Sequence, residues 1–464
     1  MSNRTVARGL VIAWVSAAVL AGHPSKIPAA PSVYPTGTTI YNPSETWNGY
    51  TVLTLLATPA VVVIDMNGQE VKRWDNFNNA AGGPARILPN GTVMAAYGAR
   101  PPHQESLGLE IRDFDDVSLS RISGGEIITQ ADGTTVDSLR QHHDWQRADF
   151  PAGYYSPGAR PAPEGANTLI LTHTARVDAN IADVDLEDDR IVELDADGQI
   201  AWEWTAGEHI DQFGFADDAR AAIKTAPGFN ERRGSLDWFH INSATYVGPN
   251  RWFDAGDIRF APENVIISSR QSSIVAIIDR AGYVVWQIGP DFSASAALRG
   301  IGQIIGQHHA HLIPPGLPGA GNVMIFDNGG SSGYGAPSAI APTGLGIYAR
   351  SVSRVIEIDP VTLERAWTYR APNFFSTNIS GAQRLPNGNT LITEGAPGRV
   401  FEVTNAGEIV WEYMIPYFGG PRGSNSVYRA YRLPYEWVPQ LEQPTHVRVQ
   451  PPALGTYTVP GSGR

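Results

Sequence analysis

One short pattern recurs six times along the 464 residues: an apolar β-rich run, a polar turn of two to four residues, and a second apolar run that usually carries Trp. The copies are VVVIDMNGQEVKRW (61–74), LEIRDFDDVSLSRI (109–122), RIVELDADGQIAWEW (190–204), SIVAIIDRAGYVVWQI (273–288), RVIEIDPVTLERAWTY (354–369) and RVFEVTNAGEIVWEY (399–413). Their turns hold Asn-Gly, Asp-Gly, Ala-Gly or Asp-Pro, which supply the positive or fixed φ of a tight turn, so each copy reads as a β-hairpin. A lone hairpin cannot bury its own face, and repetition therefore dictates stacking.

A second recurring string supplies further strands: PARILPNGTVMAAYG (84–98), GANTLILTHT (165–174), ENVIISSRQ (263–271), GNVMIFDNG (321–329) and GAQRLPNGNTLITEG (381–395). Four short strands per unit, repeated radially, predict a β-propeller. The hairpin starts are spaced by 48, 81, 83, 81 and 45 residues, so three units carry insertions beyond the usual ~40–50 residues of a blade. These insertions are Gly- and Pro-rich (150–165, 247–263, 328–346) and are expected as loops on one face rather than as a second domain. SVYRAYRLPYEW (426–437) repeats the Arg-x-Leu-Pro pattern of the earlier units and can begin the blade that YTVLTLL (50–56) completes. The expected fold is thus all-β, a six-bladed β-propeller over residues 45–440, followed by a Pro-rich extended or disordered tail at 441–464.

Composition narrows the function classes. Gly 48 and Pro 35 suit a turn-dense β protein, and 42% hydrophobic content is enough for a packed core. A formal charge of −12 with no Lys/Arg run argues against nucleic acid as a partner. The absence of Cys removes disulfides, thiolate nucleophiles and Cys-ligated metals. Arg4 and Arg8 precede the uncharged run 9–22 and then small residues and Pro, the order of a secretory signal. That run is too short to span a bilayer, for which ~20 residues are needed. Residues 1–30 are read as signal and leader, and the protein as secreted or periplasmic with no membrane span; its oligomeric state is unknown from sequence.

Chemistry concentrates in histidine. Six of the 11 His fall in three clusters, Gln141-His142-His143-Asp144, Trp238-Phe239-His240-Ile241-Asn242-Ser243 and Gln307-His308-His309-Ala310-His311. They lie at similar points before the strands of three different repeats, so three blades are expected to aim imidazoles at one mouth of the axial channel. A single His is ordinarily a surface or core residue; three repeats converging on one place are not. Strand alternation predicts that one member of each His-His pair points away. His103, His173, His209 and His446 read as structural. Candidate catalytic residues are His142, His143, His240, His308 and His309.

Imidazoles near their ordinary pKa of ~6.5 act as nucleophiles or general bases, as anion clamps when charged, or as metal ligands. Spacing does not choose among these. No cofactor is expected, though a divalent metal held by the His cluster is possible. Asn242, Arg270 and Asn328 at strand ends, and Tyr334 in a mouth loop, are candidate substrate-binding residues, each with a capping, turn or packing role as the plain alternative. Tyr154, Tyr155 and Tyr428 are expected in the same loops. The acidic run 183–189 has the composition of a Ca²⁺ ligand set but lacks the spaced Gly, so a solvated loop is expected. Trp at the hairpin ends reads as blade-to-blade anchors. A quinone-cofactor propeller would need more blades and commonly a vicinal Cys pair.

Several of these strings together resemble the bacterial arylsulfate sulfotransferase family: His-His-Asp at 142–144, His240-Ile241-Asn242-Ser243, ISSR ending at Arg270, VVWQIG around Trp286, Gln307-His308, FDNG at 326–329 and LPNGNTLI at 385–392. The resemblance implies a periplasmic propeller that moves a sulfuryl group between phenols through a sulfohistidine, with His240 and His308 contacting the sulfuryl group. It also implies a small phenolic or sulfated substrate as partner. The chain departs from the family's pattern in three places. Residues 312–445 hold no His where a late-blade nucleophile is expected, Gly330-Ser331-Ser332-Gly333 follow FDNG in place of an Arg, and an N-terminal β-sandwich has no room. His142, His143 or His309 would then replace the nucleophile. The rival readings are a metal- or His/Tyr-dependent lyase or hydrolase on an anionic saccharide or aryl ester, and a non-catalytic ligand-binding propeller.

Overall fold

The computed structural model describes residues 36–451 apart from 57, 78–82, 101–103, 130–132, 226, 228–235, 335–344 and 421–422; for 100 and 345–348 only the backbone is described. The signal and leader expected at 1–30, His103, and 452–464 of the tail lie outside the described residues.

Strand β1 (Gly37–Tyr41) is followed by β2 (Tyr50–Leu55), β3 (Ala60–Ile64) and β4 (Glu70–Trp74), then by β5 (Arg86–Ile87), β6 (Val93–Arg100), β7 (Glu105–Arg112) and β8 (Ser118–Ser123). The short β9 (Glu126–Thr129) and β10 (Thr135–Ser138) precede β11 (Gln141–Arg147), β12 (Thr168–Arg176), β13 (Leu186–Leu194) and β14 (Ile200–Thr205). Next come β15 (Ile241–Tyr246), β16 (Val265–Ser269), β17 (Ile274–Ile278) and β18 (Val284–Ile288), then β19 (His308–Leu312), β20 (Val323–Asp327), β21 (Ser331–Tyr334), β22 (Leu345–Ala349), β23 (Arg354–Ile358) and β24 (Arg365–Tyr369). The last are β25 (Gly381–Arg384), β26 (Thr390–Glu394), β27 (Arg399–Val403), β28 (Ile409–Met414) and β29 (Val427–Leu433).

All six repeated hairpins form, as β3–β4, β7–β8, β13–β14, β17–β18, β23–β24 and β27–β28, each with a register shift close to its turn. The sheets make an all-β propeller. Their pairing is less uniform than the repeats suggest. Among the described residues, three sheets have four strands (β29-β2-β3-β4, β15-β16-β17-β18, β19-β20-β23-β24) and one gains β1 on its edge (β1-β28-β27-β26-β25). The eight strands β5–β8 and β11–β14 make one sheet, joined where Gln141 of β11 pairs with Ser106 of β7. As expected, the closing strand β29 pairs antiparallel with β2, from Tyr50↔Leu433 to Leu55↔Val427. First strands pack on one another in turn, β11 on β15, β15 on β19, β19 on β25 and β25 on β29.

The central strands read as continuous apolar runs because both their faces are covered. In β17, Val275 and Ile277 face a cluster shared with Leu312, Ile325 and Ile356, while Ile274, Ala276 and Ile278 face another shared with Leu171, Ile191 and Trp204. The sheet that contains β17 is therefore packed between two neighbours. The hairpin Trp residues do more than fill space: their indole N–H groups donate to backbone carbonyls in the turn of another hairpin. Trp74 reaches Asp113 (2.9 Å), Trp204 Gly282 (3.2 Å), Trp286 Pro360 (2.7 Å), Trp367 Asn405 (2.9 Å) and Trp411 Met66 (2.9 Å).

The insertions are not all plain loop. They include the short helix Arg251–Asp254, capped by the Asn250 side chain, and the β21–β22 ladder. In the tail, Val449 bridges back to Tyr41 of β1, and the Asn67 amide donates to the Thr445 carbonyl (2.9 Å).

Candidate functional site

Imidazoles enter from the start of three first strands: His142 and His143 on β11, His240 just before β15, and His308, His309 and His311 on β19. At the same point in each, the ladder slips its register and one residue turns left-handed: His143 (φ 52°), His240 (φ 54°) and His309 (φ 52°). Such a backbone costs a non-Gly residue on the order of 1 kcal/mol or more, and it is held three times over. The left-handed residue interrupts strand alternation at these points. His142, His143, His308 and His309 are all buried. In a fourth sheet, Ile379 (φ 52°) and Ser380 (φ 87°) hold the left-handed positions just before β25, where no imidazole is available.

The first group is a run of touching rings. His142 Nδ1 lies 2.8 Å from His143 Nδ1, the His143 and His240 rings meet edge-on at 4.6 Å, and His173 stacks on His142 at 3.7 Å. Asp237, three residues before His240, accepts both its backbone N–H (3.0 Å) and its Nδ1–H (2.5 Å). This fixes the tautomer, with the ring lone pair on Nε2. His173 donates from Nδ1 to Glu105 (3.1 Å), itself held by the Arg140 guanidinium (2.9 Å), and its Nε2 faces Asp237 at 3.7 Å. Burial works against charge on His173, but Asp237 and Glu105 outweigh it and hold its pKa well above the ordinary value. Burial opposes ionisation of Asp237 as well, yet His240 and His173 keep it well below the usual carboxylate range. His142 and His143 are pushed well down by burial and by neighbouring imidazoles, and so are neutral at pH 7.

His308 is arranged like His240. Its Nδ1 donates to the Asn328 side-chain oxygen (2.8 Å), and Nε2 accepts only the Ile379 backbone N–H at 3.2 Å. Asn328 is fixed in turn by donating to the carbonyls of Ser376 and Ile379. Burial, followed by the nearby Arg270 charge, holds His308 well below its ordinary pKa. Arg429 of β29 sits between the groups, paired with Asp144 (3.0 Å) and donating to the Asn242 carbonyl (2.7 Å). Asp144 also pairs with Arg86 (2.9 Å). Arg270 donates from its backbone to the His240 carbonyl (3.0 Å) and from its side chain to Ser331 (3.4 Å). The Asn242 amide donates to the Gln307 carbonyl (2.7 Å), tying the second and third His segments together.

The second group surrounds His309. Its Nδ1 accepts the Ala382 N–H (3.3 Å) and its Nε2 meets the Tyr431 hydroxyl (3.3 Å); the His311 ring lies 4.4 Å away, with Nε2 on the Tyr154 hydroxyl (3.0 Å). Both nitrogens of His309 are thus engaged. Tyr428 donates to the His143 carbonyl (2.8 Å), whereas Tyr155 stacks on Trp47. Tyr334 is buried in the apolar cluster of Trp238 and Phe239.

Sequence reasoning missed His173, Asp237, Asp189, Glu105 and Arg429. The acidic run also needs correction: Asp188 and Asp189 belong to β13 and are fully buried, not solvated. Asp189 lies directly across the ladder from His173, and its Oδ1 is 3.3 Å from His142 Nε2. His142, His173 and Asp189 each offer a ligand atom within 4.8 Å of the others, but the His142 and His173 rings are stacked face to face at 17°, so their lone pairs cannot converge on one ion. A groove of about 720 Å³ lined by Ala296, Arg365 and Trp367 contains none of these side chains.

The fold and site define a β-propeller that buries a cluster of orienter-bound imidazoles beside two guanidinium groups. The arylsulfotransferase (ASST) family model matches residues 114–414, well over half of the chain, and the protein belongs to that family. No curated protein matches. Similar solved structures include a Bacteroides caccae protein of unknown function (9% identity, TM-score 0.42, covering 83% of this chain and 98% of that one). A streptogramin B lyase (12%, 0.35, 86% and 92%) and the Dos1 propeller (9%, 0.33, 82% and 73%) are also similar. At these TM-scores they carry no argument about function. Among the described residues no helix is long and apolar enough to cross a membrane.

Proposed function

We propose that the protein transfers a sulfuryl group from an aryl sulfate to a phenol, using His308 as nucleophile and His240 as the proton carrier. The observation that carries this is the matched pair of imidazoles from different sheets, each with Nδ1–H tied to an oxygen acceptor, Asp237 for His240 and Asn328 for His308. In each ring, when neutral, the lone pair is thereby set on Nε2. His308 beside the Arg270 and Arg429 charges suits attack within a bound sulfate ester, whose oxygens the guanidinium groups would hold. His240 beside a carboxylate suits proton carriage, because Asp237 stabilises the imidazolium.

In the first half-reaction, which begins with His240 protonated on both ring nitrogens, His308 Nε2 bonds to sulfur, the S–O bond to the aryl group breaks, and His240 gives its Nε2 proton to the departing phenolate, which leaves the lone pair on Nε2. In the second, His240 takes the proton of the acceptor phenol, whose oxygen bonds to sulfur as the N–S bond breaks. Asn328 holds Nδ1–H of the sulfoimidazole throughout. Asn242 positions the segment carrying His308 through Gln307.

The site is read as the hub of six blades over residues 45–440. The eight-stranded sheet then counts as two blades bridged by Gln141↔Ser106, and Trp bonds link each hairpin except the second, which has no Trp, to the next one, returning from Trp411 to the first. Export is inferred from Arg4, Arg8 and the run 9–22.

The test is incubation of the full chain with nitrophenyl sulfate, with and without phenol. Acceptor-dependent nitrophenol release is expected, along with a mass gain of one sulfuryl group when phenol is left out, lost in His308→Ala and retained in His240→Ala. Continued release beyond one equivalent without an acceptor would make the protein a hydrolase. Neither turnover nor adduct would leave a binding propeller.

A further inference from the structure

The carboxylate that orients His240 serves a second imidazole. Asp237 Oδ2 lies 2.5 Å from His240 Nδ1 and 3.7 Å from His173 Nε2, so the two rings face one oxygen. The longer separation is an ion-pair distance and not a hydrogen bond, so His173 acts on Asp237 through its charge. That charge is secured from behind. His173 Nδ1 donates to Glu105 (3.1 Å), and Arg140 grips Glu105 through Nε (3.1 Å) and a terminal nitrogen (2.9 Å). Burial opposes ionisation of Glu105, but His173 and Arg140 hold it well below the usual carboxylate range. The His142 ring lies flat on His173 (3.7 Å, 17°) and leaves both His173 N–H groups to the two carboxylates. Arg140, Glu105, His173 and Asp237 thus form a line of alternating charge that ends at the proton carrier.

We propose that His173 is a positioning residue for the transfer: a buried imidazolium that shares the Asp237 carboxylate with His240 and so keeps the His240 proton mobile. The inference rests on the reading of His240 as proton carrier. Bound to Asp237 alone in a dry site, an imidazolium would keep its proton; a carboxylate that answers two cations holds each less tightly. His240 has to give a proton in the first half-reaction and take one in the second, which needs that balance. The other rings facing His240 are His143, edge-on at 4.6 Å, with His142 and His308. Burial, followed by neighbouring charges, holds all three well below their ordinary pKa, so they are neutral at pH 7. Arg270 donates its backbone N–H to the His240 carbonyl (3.0 Å), and its side chain donates to Ser331 (3.4 Å). Besides Glu105 and Asp237, His173 faces Asp189, whose carboxyl is held well above the usual range by burial and the Asp237 charge. Behind Glu105, Arg140 also meets Glu126 (3.3 Å) and Glu187 (3.7 Å).

The test compares the full chain with His173→Gln, which keeps a donor for Glu105 and loses the charge, and with His173→Lys, which keeps the charge. In a ping-pong reaction, kcat/KM for nitrophenyl sulfate reports the half-reaction that needs His240 protonated, and kcat/KM for phenol the half that needs it neutral. Removing a neighbouring cation tightens the hold on the His240 proton, so in His173→Gln both profiles should move to higher pH by about one unit. On the acid side of the midpoint the phenol value should fall about tenfold at a given pH, while the nitrophenyl sulfate value changes little. His173→Lys should bring both profiles back toward the parent's. A second readout needs no turnover. Nitrogen NMR of labelled histidine should show two protonated ring nitrogens on His173 in the parent at about pH 8, and a His240 ring that titrates at higher pH in His173→Gln than in the parent. Profiles that lose height without moving would overturn the proposal and make His173 structural. A neutral His173 ring in the parent would overturn it whether or not the variants fold. Expected ring titrations without turnover would remove the sulfuryl reading and support the sharing of Asp237.

Discussion

Asp237→Asn isolates the orientation of His240. In the unmodified site, one carboxylate oxygen takes the His240 backbone N–H at 3.0 Å and the other takes Nδ1–H at 2.5 Å. An amide of the same shape keeps its oxygen on the backbone N–H and turns its NH₂ toward Nδ1, so donor faces donor. The ring then shifts its proton to Nε2. Loss of one charge-assisted hydrogen bond is about 1.5–3 kcal/mol, or roughly 10–150-fold in rate at 1.4 kcal/mol per decade. Where the substitution also reverses the tautomer, as in a Ser-His-Asp triad, the loss reaches about 10⁴. We expect acceptor-dependent turnover of nitrophenyl sulfate to fall between about 10² and 10⁴, with the circular dichroism spectrum unchanged. A dinitrophenyl sulfate, whose phenolate leaves without a proton, should recover much of the loss in the first half-reaction. An Asp237→Asn protein with intact fold and turnover within threefold of the parent, or with the same deficit for both leaving groups, would refute the role assigned to His240.

Other consequences of the same geometry are open to measurement. His308, His309 and His311 are held below their ordinary pKa by burial, the last at about 4, so the unfolded chain binds more protons as pH falls below ~6.5. Stability conferred by these groups is full above that pH and should drop by up to about 1.4 kcal/mol per group per pH unit down to about pH 4, read from urea midpoints; a flat profile would contradict it. Gly381→Ala places a Cβ 2.8 Å from His309 Nδ1, which should cost about 1–3 kcal/mol in denaturant titrations and displace the ring from Tyr431. Trp411→Phe removes a buried indole donor from the Met66 carbonyl and should lower stability by about 1–3 kcal/mol, measurably more than Trp367→Phe at a half-exposed site. Equal costs for the two would show that the buried carbonyl is not the source.

The hairpins, the closing strand and the use of Trp were legible because each depends on a local pattern: alternation, a turn residue and one large side chain. The placement of imidazoles at the start of three first strands was legible from repetition. What escaped was set by register across strands. His173 ended a string read only as a strand and Asp189 ended a run read only as acidic, yet β12 and β13 align them opposite each other. The break in alternation at His143 and His309 escaped because a left-handed residue at a register slip is not written in residue type. Arg429 arrives on the closing strand, hundreds of residues from Asp144, and sequence spacing carries no trace of such a meeting. Asp237 did leave a signal, an acidic residue three before His240, which marks a capping turn.

Because β29 supplies the edge on which β2 rests, the first-made sheet stays incomplete until nearly the whole polypeptide has emerged from the ribosome. Arg429 rides on that same late strand, so the guanidinium that steadies Asp144 arrives with the act of closure. A chain cut short before residue 427 would lose the partner strand of β2 and the buried Arg429–Asp144 pair together, so closure of the fold and neutralisation of Asp144 depend on the same late segment.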